Sequence, residues 1–427
     1  MSFGGGGGGS SKISTSQDVA LSSPADGQVL TYDAGLAKWK NAGVVGGSFP
    51  GAVYFDDYFA GSTDDQKIAA MNTYNAAQGD GQTGSSIQPA ILFGARQYSF
   101  STAIKMYSGM TLVGTKLSNA HGTNVQTKFA WQGASGTSML AFPGSQTDQG
   151  YPSDGSPRDM FFGNILFNGP SGTHFIENHN PNTDSSTGRV IWYSRFNNCA
   201  WSNFQTIWWG WSDGSAVDGS CDISQIGSTA FFLAGAESVI FGKETYSQAD
   251  NTSDTGVPFI RSKLAKSLIG YCLFTGRGAT SGISVEGGNN TVIDGFCVDA
   301  QSSDPMYGAG IRVSGSTTDG LVITNCSLNG VASNPASGQN GASNNKGYIH
   351  ISGGSQITLL GNNFARGGSV PPATTFPLVY ATGVGAGQVK FGYNNWSGWA
   401  GAGAVIQQSG SGLITAATDP NLTVSVG

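Results

Sequence analysis

Charge is scarce in this chain. Lysine, arginine, aspartate and glutamate make up 11% of its 427 residues, against about 25% in ordinary globular domains, and the net charge is −6. With no basic excess, neither nucleic acid nor an anionic membrane surface is an expected partner. No stretch approaches ~20 uninterrupted apolar residues, so membrane insertion is not expected either. The N-terminus has glycine where a secretory leader would have a basic run and an apolar core. Five cysteines, Cys199, Cys221, Cys272, Cys297 and Cys326, are an odd number without CxxC spacing. That pattern implies neither a metal cluster nor an obligatory disulfide framework. Helical periodicity is also missing: after residue 80 no window sustains apolar residues at i, i+3, i+4 and i+7. GxGxxG, P-loop and GxSxG motifs are absent from any strand–turn–helix setting, so no cofactor is expected.

Glycine, at 66 residues, is what the chain has in plenty, together with 38% hydrophobic and 11% aromatic residues, a mixture too apolar for disorder. Its organising feature is a recurring hexamer: apolar, any, Asn or Gly, usually apolar, any, apolar. Copies begin at Phe162, Phe196, Leu268, Ile293, Ile323 and Leu359, and the last four starts lie 25, 30 and 36 residues apart. A looser copy covers Phe391–Trp396 and a weak one Ile240–Thr245. The third positions are Asn164, Asn198, Gly270, Gly295, Asn325 and Gly361. Asn and Gly enter left-handed backbone at low cost, so each hexamer reads as strand, sharp bend, strand. A period of this length, with apolar positions at fixed offsets, is the pattern of stacked coils. The fold expected is all-β, a right-handed single-stranded parallel β-helix, in preference to a sandwich of hairpins.

In chain order, residues 1–12 are a Gly/Ser-rich flexible arm. Residues 13–45 form a small β module, with strand-like runs Asp18–Leu21 and Gln28–Tyr32 around the turn Pro24-Ala-Asp-Gly27, and then Lys38-Trp39. Such a unit is too small for its own core and needs contact with something larger. Residues 46–61 read as a linker. The β-helix proper is expected over 62–410, opened by a capping helix at 62–78 with Ser62 or Thr63 as N-cap, and residues 411–427 alternate like a strand. Residues 116–160 read as long loops, 203–237 as an interruption of the repeat, and 330–346 as a polar insertion.

Two resemblances follow from these residues. The run Asp18-Val-Ala-Leu-Ser-Ser-Pro-Ala-Asp-Gly-Gln-Val-Leu-Thr-Tyr-Asp33, followed by Lys38-Trp39, resembles a module common near the N-termini of bacteriophage tail-fibre and minor tail proteins. It covers under a tenth of the chain and implies attachment to other virion tail proteins. The order Thr63-Asp64-Asp65 helix, Ile91-Leu-Phe93 strand, Tyr98 turn and Leu112-Val-Gly114 strand resembles the start of the pectate-lyase-like β-helix superfamily. In that superfamily the helix caps the apolar end of the solenoid. The departure is Phe93-Gly-Ala-Arg-Gln-Tyr98, where the superfamily has a proline-containing turn.

Chemistry is harder to read. The candidate acids are Asp213, Asp218, Glu237, Glu244, Glu286, Asp294, Asp299 and Asp319, yet no acidic pair recurs at one hexamer offset. Arg261, Arg277 and Arg312 are too scattered in sequence to assign. His121, His174, His179 and His350 show no metal spacing, and no metal site is expected; His350 reads as an exposed strand residue. The sharper signal is Trp208, Trp209 and Trp211 with Asp213. Adjacent tryptophans on a strand face opposite ways, leaving either an exposed aromatic platform for a sugar ring or packing between coils or subunits. Catalysis is left open and is not favoured by these residues.

The sequence therefore suggests a structural virion tail component (fibre, spike or minor tail protein) contacting host cell-surface carbohydrate. A polysaccharide-degrading spike, lyase or glycoside hydrolase, on the same fold is the alternative, and a bacterial surface adhesin the next. A homotrimer is expected from the small N-terminal module, the uncapped tail and an outward apolar stripe at Ile207–Trp209 and Ala404–Ile406. Sedimentation equilibrium of the full chain checks this: about three times 43.9 kDa supports a trimer, and a mass near 43.9 kDa refutes it.

Overall fold

The computed structural model describes residues 19–20, 29–33, 38–42, 51–77, 88–115, 126–143, 156–176, 190–219, 221–233, 238–240, 247–251, 257–263, 267–276, 281–299, 309–329, 347–365, 377–385, 387–395, 406–408, 414–416 and 424–426. From Ala52 onward the strands stack into three long faces: a 13-stranded first sheet and two 10-stranded sheets, the second and third. A small sheet of Ile104–Lys105, Ser138–Ala141 and His174–Ile176 completes the early coils. Pairing between coils is parallel, as in Phe161–Gly163 on Arg195–Asn197 and Val292–Asp294 on Val322–Thr324. The chain is a right-handed parallel β-helix.

Stacking works because each coil places like on like. On the first sheet Ile269, Ile293, Ile323 and Leu359 occupy one register column and are all 0% exposed. On the second sheet Phe129, Phe167 and Trp201 share a column in the same way and are buried. Each such side chain contributes roughly 1.5–3 kcal/mol on burial. The rings also meet one another: Phe162 lies on Phe196 at 4.7 Å and 6°, and Phe129 meets Phe167 edge-on at 5.6 Å.

The chain passes from the first to the second sheet through the expected left-handed bend. Asn164 (φ 57°), Asn198 (50°), Asn325 (53°), Gly295 (77°) and Gly361 (67°) all occupy it. Gly270 does not. Leu268 pairs with Val292 and Ile269 with Ile293, so the hexamer at Leu268 was read one residue early. Ile269 is the inward residue, and Gly270 falls where Asp294 stands on the next coil. A further bend, Gly219 (φ 77°), follows Val217-Asp218 and was hidden by one extra residue before Ile223. The looser copy bends at Tyr393 (φ 53°) instead of at Asn or Gly. Beside the bends, side-chain amides tie coils together. The Asn325 amide donates to Asp294 Oδ1 (3.0 Å), and Asn362 and Asn394 bond each other at 2.9 Å. Cys199 and Cys326 lie buried next to two of these bends, where burial pushes the Cys326 thiol up to about 12.

Several boundaries move. Strand Ala52–Tyr54 pairs with Ala90–Leu92, and Phe55 and Phe59 are buried, so residues 51–61 of the supposed linker belong to the solenoid. Residues 116–160, read as loops, hold the strands Lys128–Trp131 and Ser138–Ala141. The supposed interruption at 203–237 holds regular strands such as Trp208–Asp213 and Phe231–Leu233. Within 411–427, Ile414–Ala416 and Val424–Val426 pair in parallel onto the first and third sheets and continue the stack. Strands Val19–Ala20, Val29–Asp33 and Lys38–Ala42 form their own three-stranded sheet. The 1–12 arm and the 330–346 insertion lie outside the described residues.

The helix Asp64–Ala77 buries Ile68, Met71 and Asn75. Its start is capped by Thr63: the Gln66 N–H donates to Thr63 Oγ1 (3.3 Å), while Gln66 Oε1 accepts from the Ser62 N–H (2.8 Å), one residue before the position a capping box would use. The turn that departs from the superfamily pattern has its own tie. Arg96 pairs with Asp56 and, at 2.8 Å, with Asp64, and its guanidinium lies 3.6 Å over the Tyr98 ring. The Tyr98 hydroxyl donates to Asp56 Oδ2 (2.9 Å).

Two stability tests follow from these contacts. Asn325→Val forces a β-branched residue into left-handed backbone and should cost about 1–3 kcal/mol, whereas Thr324→Val, one residue away and outward, should be nearly silent. Guanidinium unfolding of both variants decides: an unshifted Asn325→Val midpoint refutes the bend's role. The second test concerns Asp56, whose carboxyl the Arg96 hydrogen bond holds below the ordinary carboxylate range. A depressed carboxyl pKa stabilises above the unfolded value of about 3.9 and loses that effect as pH falls through the folded pKa. Asp56→Asn should therefore melt below the wild type at neutral pH, with the gap closing in acid; a gap that persists unchanged refutes the ion pair's contribution.

Candidate functional site

Along the third sheet almost every coil contributes an apolar–x–apolar strand whose flanking residues are buried. Ile260 and Ser262, Ile283 and Val285, Ile311 and Val313, Ile349 and Ile351, and Val379 and Ala381 are all 0% exposed. The pleat turns the middle residue outward. The register places these middle residues in one row: Trp209, Phe232, Arg261, Ser284, Arg312, His350, Tyr380 and Gln407. Successive members are about 4.8 Å apart, the spacing between strands.

The row has two chemically distinct halves. At its N-terminal end Phe232 is sandwiched, with Trp209 at 4.9 Å on one side and the Arg261 guanidinium at 4.5 Å on the other. That cover explains why an outward phenylalanine is only 2% exposed. Arg261 is held in turn by Glu286, as Nε–H donates to Oε1 (2.8 Å) and Nη2–H to Oε2 (2.7 Å), a two-pronged fork that fixes both groups. Ser284 Oγ lies 3.4 Å from Glu286 Oε1, and Lys263 reaches to 5.9 Å from the Phe232 ring. In the other half, His350 meets Tyr380 edge-on at 5.4 Å. Arg312 lies between Ser284 and His350, and its Nε is buried with no hydrogen-bond partner among the described residues.

The tryptophan cluster divides across the sheet. Trp208 is 1% exposed and packs edge-on against Phe196 at 5.7 Å, so it is a core residue and leaves the expected platform. Trp209 stays on the outer row. Trp211 pairs with Val190 through its backbone, and its side chain lies outside the described residues. Asp213, partly exposed, ends the same strand opposite Trp192. Ile207 and Ile406 are 1% and 0% exposed within the chain, so with Trp208 they do not form the outward apolar stripe that was expected.

The acids are dispersed for structural reasons. Asp218 accepts from Asn197 Nδ2 (2.7 Å) and pairs with Arg195 (2.9 Å), while Asp294 accepts from Asn325; both brace bends. Asp319 accepts from Ser355 Oγ (2.6 Å) at a corner. Glu237, Glu244, Arg277, His121 and His179 lie outside the described residues, as does the Asp299 side chain. His174, half-buried, shares a 2.8 Å hydrogen bond with Thr206 Oγ1, and burial lowers its pKa. His350 is 7% exposed, not an exposed strand residue, because the row closes over it. Among the described residues no group of three or more His, Cys, Asp or Glu side chains converges on a metal site.

Phe232, Glu286, Arg312 and Tyr380 were not recognised as one site from sequence, and the two arginines had looked unrelated. The signal was nevertheless present. Phe231-Phe-Leu233, Ile260-Arg-Ser262, Ile283-Ser-Val285, Ile311-Arg-Val313, Ile349-His-Ile351 and Val379-Tyr-Ala381 repeat an inward–outward–inward triplet once per coil.

No protein-family model matches the sequence, and no curated protein is significantly similar to it. Solved structures are similar in fold. The DFA-IIIase of Arthrobacter chlorophenolicus A6 gives a TM-score of 0.58 at 12% identity, covering 88% of this chain and 87% of that one. Its complex with GF2 gives 0.57 at 12% identity, covering 88% and 96%. The A-module of mannuronan C-5 epimerase AlgE4 from Azotobacter vinelandii gives 0.52 at 12% identity, covering 87% and 96%. At such identity the likeness is one of fold, and it is to pectate-lyase-like parallel β-helix enzymes. The expectation of a structural virion tail component is corrected here, because the similar structures are carbohydrate-active enzymes and nothing among them points to a phage.

Proposed function

We propose that the protein is a polysaccharide-acting enzyme whose substrate lies along the outer row of the third sheet, crossing the coils. The observation that carries this reading is the row itself, in which an aromatic face and a string of hydrogen-bond donors stand at one strand spacing, with the fixed carboxylate of Glu286 beside it. Trp209 presents a ring on which a sugar face stacks. Glu286, oriented by the Arg261 fork, accepts a single hydrogen bond on Oε2, which leaves that oxygen to meet the reacting sugar. A carboxylate in contact with a guanidinium acts as an anion, either as nucleophile or as stabiliser of developing positive charge. The proton donor is then a second group, and His350 and Tyr380 stand further along the same row. The carbohydrate-active character of the enzymes that share the fold supports the same reading.

The test is a polysaccharide panel, neutral and acidic, assayed for new reducing ends, unsaturated products and altered stereochemistry. Glu286→Gln should lower turnover about 100- to 10,000-fold with little change in KM. Trp209→Ala should raise KM about 3- to 10-fold. Undiminished turnover in Glu286→Gln would remove its catalytic role. Glycan binding at the row without any product would make the protein a binding module instead of an enzyme.

A further inference from the structure

The geometry points to a substrate that carries acid groups, with Arg312 as the residue that reads them. This rests on the reading of the third-sheet row as the glycan site and narrows it to one chemical class, a carboxylated or sulfated oligosaccharide.

The first observation is an imbalance of charge. The chain as a whole carries −6, yet the described part of this face sets three cations, Arg261, Lys263 and Arg312, against two carboxylates, Glu286 and, at the far end of the Trp209 strand, Asp213. One cation is cancelled by the Arg261–Glu286 fork, so the face is locally positive on an acidic protein. Such a patch attracts anions.

The second observation is Arg312 itself. Arg96 faces Asp56 and Asp64, Arg195 faces Asp218 and Arg261 faces Glu286. Among the described residues Arg312 has no carboxylate partner, and its Nε–H, shielded from solvent, has none to donate to. Leaving a buried donor unmade is costly, the more so on a charged group. Its neighbours along the sheet do not relieve it: Ser284 precedes it in the row, and Ser314 is next but one in its own chain. His350 follows it in the row and no hydrogen bond joins the two side chains; Arg312 as a whole is only partly buried, and its fork of N–H donors suits an incoming anion, which it binds with two parallel hydrogen bonds.

The third observation is distance. Trp209 and Arg312 are four coils apart in the row, roughly 19 Å at one strand spacing per coil. A single sugar cannot touch both. The ligand that uses the stacking end and the anion end together is an oligomer lying across the coils, with its acid group placed some sugars away from the ring on Trp209.

The experiment measures binding of the full chain, by calorimetry, to hexameric uronates (oligogalacturonate and oligomannuronate), to each after chemical reduction of its carboxyl groups to neutral hydroxymethyls, and to a sulfated hexasaccharide. The acidic forms should bind more tightly than their reduced counterparts, with an advantage that shrinks as salt rises. Arg312→Gln should weaken the acidic ligand about 10- to 100-fold and leave the reduced ligand unchanged, and Arg312→Lys should recover part of the loss. Binding of the sulfated ligand alone, with the same dependence on Arg312, would name sulfate as the anion. Equal affinity for acidic and reduced forms overturns the acidic class. If Trp209→Ala then weakens both, the row still stands as the glycan site. An acid preference indifferent to both Arg312→Gln and Trp209→Ala places the anion elsewhere and overturns the assignment, as does the absence of binding by every ligand. Unfolding midpoints of the variants, expected to match the wild type, exclude misfolding as the cause.

Discussion

The molecule depends on register. In a stacked coil each inward residue must sit on the inward residue of the coil below, and a slip of one residue would turn every core side chain outward. The left-handed bend between the first and second sheets enforces this, since it lets the chain turn sharply while the residues on either side keep facing in. Asn198, Asn325 and their counterparts provide that geometry at low cost, and at the same corner the amides of Asn197 and Asn325 donate to Asp218 and Asp294 of the adjoining coils and knit the stack. Two of the acids that sequence reasoning weighed for catalysis, Asp218 and Asp294, are explained by this duty.

The same constraint accounts for what could be read in advance. The bends at Asn164, Gly295 and Gly361 were legible because glycine and asparagine mark a backbone requirement that few other residues meet. Gly270 misled because, in a glycine-rich chain, a glycine one place before the bend resembles one at the bend; only the pairing of Ile269 with Ile293 separates the two. Tyr393 occupies a bend with a residue type that carries no such mark. The strands within 116–160 and 203–237 were missed because their copies of the pattern are shifted or stretched, as Val217–Ile223 is by one residue.

The candidate site was less legible for a different reason. Its members are separated by a full coil in sequence and meet only through stacking, so no local motif announces them. Trp209 drew notice by rarity of type, and Trp208 drew the same notice wrongly, because adjacent positions on a strand differ in face and not in composition. Arg261 and Glu286 are 25 residues apart, a separation that means nothing until the coil length is known. Once it is, they fall on neighbouring coils.

The triplets of the third sheet separate two kinds of information within three residues. Ile311 and Val313 answer to the core, and the residue between them answers to whatever lies along the outside. A substitution at the middle position rewrites one mark on a linear scale and leaves the scaffold's volume and register alone. A face built this way can change its preference one subsite at a time, in steps as small as a single codon, without passing through a sequence that no longer folds.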